Sequence, residues 1–406
     1  MPSFIKLMFI SFVLFIITVS SGNAATPPQK PRAATEAEIY AKLSDLVQSK
    51  MSQSKVPGVA VAVIRGNQTT FAKGFGLRDV ARNLPATADT LFHIASTNKS
   101  MTAMMIGTVV DEGKLTWDTK AVTIYPQFKL ANDQSTQNVT MRHLLNMTSG
   151  IPASAEDNFD LGLMPEDLFS YMATQDLAGQ PGQVYDYSNV SYSLAGYLGV
   201  LAHDKSKFGQ LMPGYEALFK AKIIVPIGMT NAVIKVSEAQ ANPNYGKSYR
   251  VQNGQVTEAV LEDDDHDPLA PSGSLKASVT DMARYISTQL NNGVAPNGNR
   301  IISEATLLES RKPYLENYAL GWDVQTANGV THYSHEGDYD NYLSVVGFVP
   351  SLNMGYVVFT NSADAGDAVL DAVPPFLVKE FSALPVATAT PVVTGSIKVY
   401  LPVILK

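Results

Sequence analysis

The sequence predicts an α+β fold, and three observations carry the prediction. A continuous run of β-branched and small apolar residues spans 58–65, near the start of the chain. A matching set of strand-like runs lies near the end, at 318–324, 342–349 and 355–361. Between them the apolar spacing is mainly helical. Strands at both ends around a helical middle describe one antiparallel sheet, flanked by helices, with a largely helical inserted domain.

Each element has a local reason. Ile39, Leu43, Leu46 and Val47 recur at the spacing of an amphipathic helix over 35–51. Gly66-Asn67 turns the chain between the run 58–65 and a second strand at 69–75, which makes a hairpin. Segment 100–110 carries Met101, Ala103, Met104, Met105, Ile106, Val109 and Val110, apolar almost all round, as in a helix buried between layers. A further apolar helix covers 193–202. Ser351-Leu352-Asn353 turns between the last two strands, and a helix at 366–381 closes the unit, bent or interrupted at Pro374-Pro375.

The 406 residues are 45% apolar and 17% charged, which supplies a substantial core and argues against general disorder. A formal charge of −7 without a basic cluster excludes nucleic acid as a partner. Residues 1–25 have the pattern of a signal peptide: Lys6, an apolar run over 7–19, then small residues up to Ala24-Ala25. Export is the expectation, with an extracytoplasmic location and no stable membrane span after cleavage. The sequence has no cysteine, so disulfides, thiolate metal sites and a cysteine nucleophile are excluded. The expected organisation is a domain over 36–381, a Pro/Ala/Thr/Val-rich linker over 382–396 and a short apolar tail over 397–406. That tail is a docking strand or a sorting signal for the cell surface.

The chemistry centres on Ser96-Thr97-Asn98-Lys99. Residues three apart share a helix face, so the Lys99 amine reaches the Ser96 hydroxyl. A serine hydroxyl needs such a base or cation to become a nucleophile. The start of the helix adds N–H groups and partial positive charge where an oxyanion forms. Two later segments supply partners. Tyr187-Ser188-Asn189 precedes the helix at 193–202, and His335-Glu336-Gly337-Asp338 leads into the C-terminal strands. A phenol relays protons when a cation lowers its pKa, an amide holds the lysine or a carbonyl, and a glycine admits close backbone approach.

With these three signatures, S-x-x-K, Y-x-N and [K/H]-x-G in that order, the chain resembles the penicillin-recognising serine hydrolases. The resemblance is to the branch of class C β-lactamases, D-Ala-D-Ala carboxypeptidases and their esterase relatives, and runs from about Ala37 to Phe381. Segments 139–152 and 271–275, the latter with Thr280-Asp281-Met282, are similar to the family too. The resemblance implies a β-lactamase/transpeptidase-like fold and a Ser96 acyl-enzyme formed from an amide or ester. It implies Tyr187 as general base and then acid, and Asn189 orienting Lys99 or the substrate. It implies His335 supporting Tyr187 or meeting a substrate carboxylate. The oxyanion would lie between the backbone N–H groups of Ser96 and Asp338, beside Gly337. No metal or organic cofactor is needed, and the partner is a small-molecule or peptide substrate.

The departures shape the expectation. His335 stands where true class C β-lactamases have lysine, which favours a D-amino-acid peptidase or esterase. Glu336 puts a carboxylate where a small hydroxyl residue would help bind an acidic substrate, unless it points away. Met147 replaces a frequent histidine, and Ser272 and Ser274 replace a glycine pair. His332 and His335 lack a third ligand at metal spacing, and the acidic run 262–267 lacks the alternation and glycine of a calcium loop. The rival reading is a non-catalytic module that binds peptidoglycan or peptide in the same cleft.

Overall fold

The computed structural model describes residues 34–157, 163–259 and 267–384. The expected signal peptide (1–25), nearly all of the expected linker and tail (382–406), and acidic-run positions 262–266 lie outside them. Helix α1 (Glu36–Ser54) opens the described chain. Thr35 caps it: the Glu38 amide donates to the Thr35 hydroxyl, and the Thr35 amide donates to the Glu38 carboxylate at 2.7 Å.

The main sheet has seven strands, all paired antiparallel. These are β1 (Gly58–Arg65), β2 (Gln68–Asp79), β3 (Leu84–Pro85), β4 (Asp323–Ala327), β5 (Val330–Tyr339), β6 (Tyr342–Val349) and β7 (Met354–Thr360). Their order across the sheet is β3-β2-β1-β7-β6-β5-β4, so the N-terminal hairpin joins the C-terminal meander where β1 pairs with β7.

Alternation divides β1 between two cores. Val59, Val61 and Val63 pack with Ile39, Leu43 and Val47 of α1 and with Val369, Leu377 and Phe381 of the two C-terminal helices. Ala60, Ala62 and Ile64 join the larger core beneath the helical region. A strand buried on both faces shows no polar alternation, which is why 58–65 reads as an unbroken apolar run. The central helices are α2 (Lys99–Asp111), α3 (Asn189–His203) and α4 (Val279–Leu290). Within α2 every residue from Lys99 to Val109 is buried.

Two expectations are corrected. The run 318–324 is not a strand: only its end enters β4, while Tyr318, Leu320 and Trp322 are buried in a loop. Gly321 turns that loop at φ 82°, and a Cβ there would lie 2.6 Å from the Ser100 amide. The closing helix is two helices, α5 (Ala363–Leu370) and α6 (Val373–Ser382), and the break falls at 371–372, before the prolines. Pro374-Pro375 sit in the first turn of α6, where a missing N–H leaves no helical bond unmade.

Leu43 is fully buried between α1 and the sheet. Leu43→Ala is expected to lower unfolding free energy by about 2–5 kcal/mol in urea titration. A loss below about 1 kcal/mol would show that α1 is not part of the cooperative unit.

Candidate active site

Ser96 sits in a 3-10 turn (Ala95–Asn98), and Lys99 is the first residue of α2. Three residues per turn align positions i and i+3, so the turn sets Lys99 over Ser96 more directly than an α-helix would. The first residue of this turn is strained, since Ala95 has φ 48°. The Ile94 carbonyl anchors it, accepting from the Thr97 hydroxyl at 2.7 Å and the Ser344 hydroxyl of β6 at 2.6 Å. A residue held in this region costs roughly 1–3 kcal/mol and persists only where its surroundings fix it.

The Lys99 side chain is inaccessible to solvent and meets three acceptors. Its Nζ lies 2.8 Å from Ser96 Oγ, 2.6 Å from Asn189 Oδ1 and 3.0 Å from the Ser272 carbonyl oxygen. The Tyr187 ring centroid is 4.8 Å from the same nitrogen. Burial disfavours the ammonium and lowers the Lys99 pKa from 10.5 to about 7, opposed by the Glu156 carboxylate. The neutral amine can donate to Asn189 and Ser272 while its lone pair accepts the Ser96 proton.

Asn189 opens α3 behind the Ser188 cap, whose hydroxyl accepts from the Ser191 amide at 3.2 Å. Its side-chain amide joins two groups, accepting from Lys99 and donating to Glu156 Oε2 at 2.9 Å. Tyr187 lies two residues earlier, in a loop held by Met147. The Asp186 amide donates to the Met147 carbonyl at 2.9 Å and the Ser188 amide to its sulfur at 3.4 Å. Tyr187 lines the same cavity as Ser96, and burial raises the pKa of its phenol well above the ordinary value, opposed by the Ser96 hydroxyl. At neutral pH it is a phenol, able to give a proton and ill-suited to take one.

His335 is brought beside Tyr187, with ring centroids 6.2 Å apart, but it is 3% exposed and both ring nitrogens are engaged. Nδ1–H donates to the Glu336 carbonyl at 2.6 Å, which leaves Nε2 to accept from the Tyr318 hydroxyl at 2.9 Å. Burial, then the charge of Lys99, lowers its pKa to about 3. A neutral, shielded imidazole offers no countercharge to a substrate carboxylate.

Strand β5 completes the cleft. Its pairing with β4 ends at Ser334, so beyond that residue β5 has no strand on its outer side among the described residues. At Gly337 a Cβ would lie 2.5 Å from the Ile94 carbonyl oxygen and 2.9 Å from the Ser96 nitrogen. No other residue type allows the strand this close to the nucleophile. Asp338 follows and lines the cavity with Ser96. Strand alternation turns Glu336 to the opposite face from His335, where it is exposed.

The site residues foreseen from sequence, Ser96, Lys99, Tyr187, Asn189, Gly337 and Asp338, converge on one cleft, with His335 behind it. Glu156, Tyr318 and the Ser272 carbonyl were not foreseen in these positions. Glu156 lies in a short 3-10 turn with no motif spacing, and the run around Tyr318 resembled a strand. Ser272 acts through its backbone, which its residue type does not announce. Among the described residues no group of three metal-ligating side chains occurs, and His332 Nε2 is bonded to the Tyr356 hydroxyl at 2.7 Å. No helix among them is long and apolar enough to cross a membrane. In 15N–1H NMR spectra His335 is expected to stay neutral from pH 5 to pH 8. A protonation step near the ordinary histidine value of 6.5 would contradict its burial.

The β-lactamase family model matches residues 43–374. The chain is 26% identical over 340 residues to unguisins hydrolase ungD' of Aspergillus campestris, covering 79% of this chain and 61% of that protein. It is 24% identical over 328 residues to protein flp of Staphylococcus aureus, covering 79% and 62%. It thus spans about three-fifths of the length of these relatives. In fold it is similar to the octameric penicillin-binding protein homologue from Pyrococcus abyssi, with TM-score 0.70, 24% identity and coverage of 84% of this chain and 77% of that one. The chain belongs to the β-lactamase family, with the α+β fold of the penicillin-recognising serine hydrolases.

Proposed function

We propose that this protein is an exported serine hydrolase that cleaves an ester or amide through an acyl-enzyme on Ser96. The observation that carries the reading is the buried Lys99 amine, 2.8 Å from the Ser96 hydroxyl and with its pKa lowered to about 7. A module that only binds has no use for an amine held without solvent against a serine. The leader pattern of residues 1–25 supports export.

The neutral Lys99 amine takes the Ser96 proton as Oγ attacks the substrate carbonyl carbon. The resulting oxyanion is held by the backbone N–H groups of Ser96 and Asp338. As the intermediate collapses, the bond to the leaving oxygen or nitrogen breaks. The Tyr187 phenol, which lines the cavity with Ser96, hands that atom a proton and is replenished from the Lys99 ammonium. Water then attacks the acyl carbon, its proton passes by the same groups to Ser96 Oγ, and the free acid leaves. This assigns the base role to Lys99 and the proton-relay role to Tyr187, because burial favours the neutral form of each. Asn189 positions the amine, and Glu156 positions Asn189.

His335 is a positioning residue, fixing Tyr318 next to the Tyr187 ring, with ring centroids 6.1 Å apart. Since it provides no cation for a carboxylate, esterase or peptidase activity fits this site better than β-lactam hydrolysis.

Two measurements test the reading. A fluorophosphonate probe is expected to add one mass label to the protein and none to Ser96→Ala. Absence of any Ser96-dependent adduct would favour a binding module. The acylation rate should rise about tenfold per pH unit below about 7 and level off above it, as the Lys99 ammonium loses its proton. A rate independent of pH from 5 to 8 would remove Lys99 as the base.

A further inference from the structure

The cleft around Ser96 is walled by carboxylates on two sides. One cavity, about 370 Å³, is bounded by Ser96, Asn189, Glu156, Asp267 and Asp338. The other, about 420 Å³, runs from Ser96 and Tyr187 past Gly337 to Glu336, Asp367 and Asp371. Among the described residues lining either cavity there is no lysine or arginine. The buried Lys99 is already committed to Ser96, Asn189 and Ser272.

The second cavity shows how the charges are arranged. Glu336 and Asp338 are two apart on β5 and face the same way. Asp367 on α5 and Asp371 at its C-terminal cap are four apart and lie along one side of the helix. All four are exposed, and none forms an ion pair with a lysine or arginine among the described residues. Burial and then Asp371 and Asp367 push the Glu336 carboxyl up, while burial and then Asp367 and Asp364 push up that of Asp338. Like charges left without a partner destabilise the fold, and a cation brought among them relieves that repulsion. The acids do not by themselves define a site, because Ser96 independently fixes where the reacting carbonyl lies.

We propose that this cleft selects substrates with a cationic group, an ammonium or a guanidinium, near the scissile ester or amide. Glu336, Asp338, Asp367 and Asp371 are the carboxylates that read it. The inference rests on the Ser96 reading and names its substrate class. A carboxylate in the same place meets only like charge. The selection is therefore the opposite of that expected of a site for acidic substrates.

Matched p-nitrophenyl esters of 6-aminohexanoic, heptanoic and pimelic acids put an ammonium, a methyl group and a carboxylate at one position of the acyl chain. A second set places the same three charges on the leaving alcohol of an acetyl ester. In at least one set, kcat/KM is expected to fall from ammonium to neutral to carboxylate. The ammonium-to-carboxylate ratio should reach about tenfold or more at low salt and shrink as salt is added. In D367K/D371K the order should reverse. The ratio compares two substrates in one variant, so a general loss of activity cancels. Ratios near one in both sets, a preference for carboxylate, or a ratio unmoved by the double variant would overturn the proposal. If no ester turns over, the fluorophosphonate adduct on Ser96 decides the Ser96 reading separately, and NMR shift titration of Ser96→Ala with hexylammonium and hexanoate still decides the charge preference. Hexylammonium is expected to shift residues of the cleft and hexanoate not to; equal binding would overturn the proposal.

Discussion

The site depends on one buried nitrogen. Lys99 is held without solvent against a hydroxyl, an amide oxygen and a main-chain carbonyl, and each acceptor comes from a different part of the fold. Ser96 comes from the 3-10 turn, Asn189 from the start of α3 and Ser272 from the turn before α4. Withdrawing the amine from water converts an ordinary ammonium into a base that works near neutral pH. This withdrawal costs stability. The folded pKa of about 7 lies below the unfolded 10.5, so the unfolded chain binds the proton more tightly between them. The cost is fully present below about pH 7 and fades as pH rises toward 10.5.

The surrounding structure meets that cost with two apolar cores on either side of the sheet, divided by the alternation of β1, β6 and β7. It also sets the site's tolerances. The Ile94 carbonyl ties the nucleophile turn to β6, and Gly337 lets β5 pass against the Ser96 nitrogen. Met147 holds the loop that carries Tyr187 through a carbonyl and a sulfur, so the residue that departs from the family pattern still serves the local geometry. Electrostatically the cleft is one-sided. Among the described residues that line it there is no lysine or arginine, and the exposed charged groups are acids.

Much of this was legible in the sequence. The run 58–65 is a strand with those bounds, and the Ser96–Lys99 spacing brings the two side chains together. The helix expected at 193–202 is present but begins earlier, at Asn189 within the triplet, behind a Ser188 cap. What was not legible depends on tertiary context. The motif at His335 lies within β5, whose polar positions 330–339 hide the strand because half of it has no outer neighbour. Run 318–324 is apolar because a loop is buried, which periodicity cannot separate from a strand. The neutrality of His335 follows from Tyr318 and the Glu336 carbonyl, neither of which its own motif specifies. The acidic wall joins β5 to α5, residues about thirty positions apart whose charges mean little until the sheet and helix meet.

Direct titration of the Lys99 amine tests whether burial makes it the base for Ser96. With 13C-labelled lysine, comparison of the native protein with Lys99→Met assigns the Lys99 Cε resonance and its pH dependence. The expected midpoint is about 7. A midpoint near the ordinary 10.5 would show that the ammonium survives burial, and that the base for Ser96 lies elsewhere.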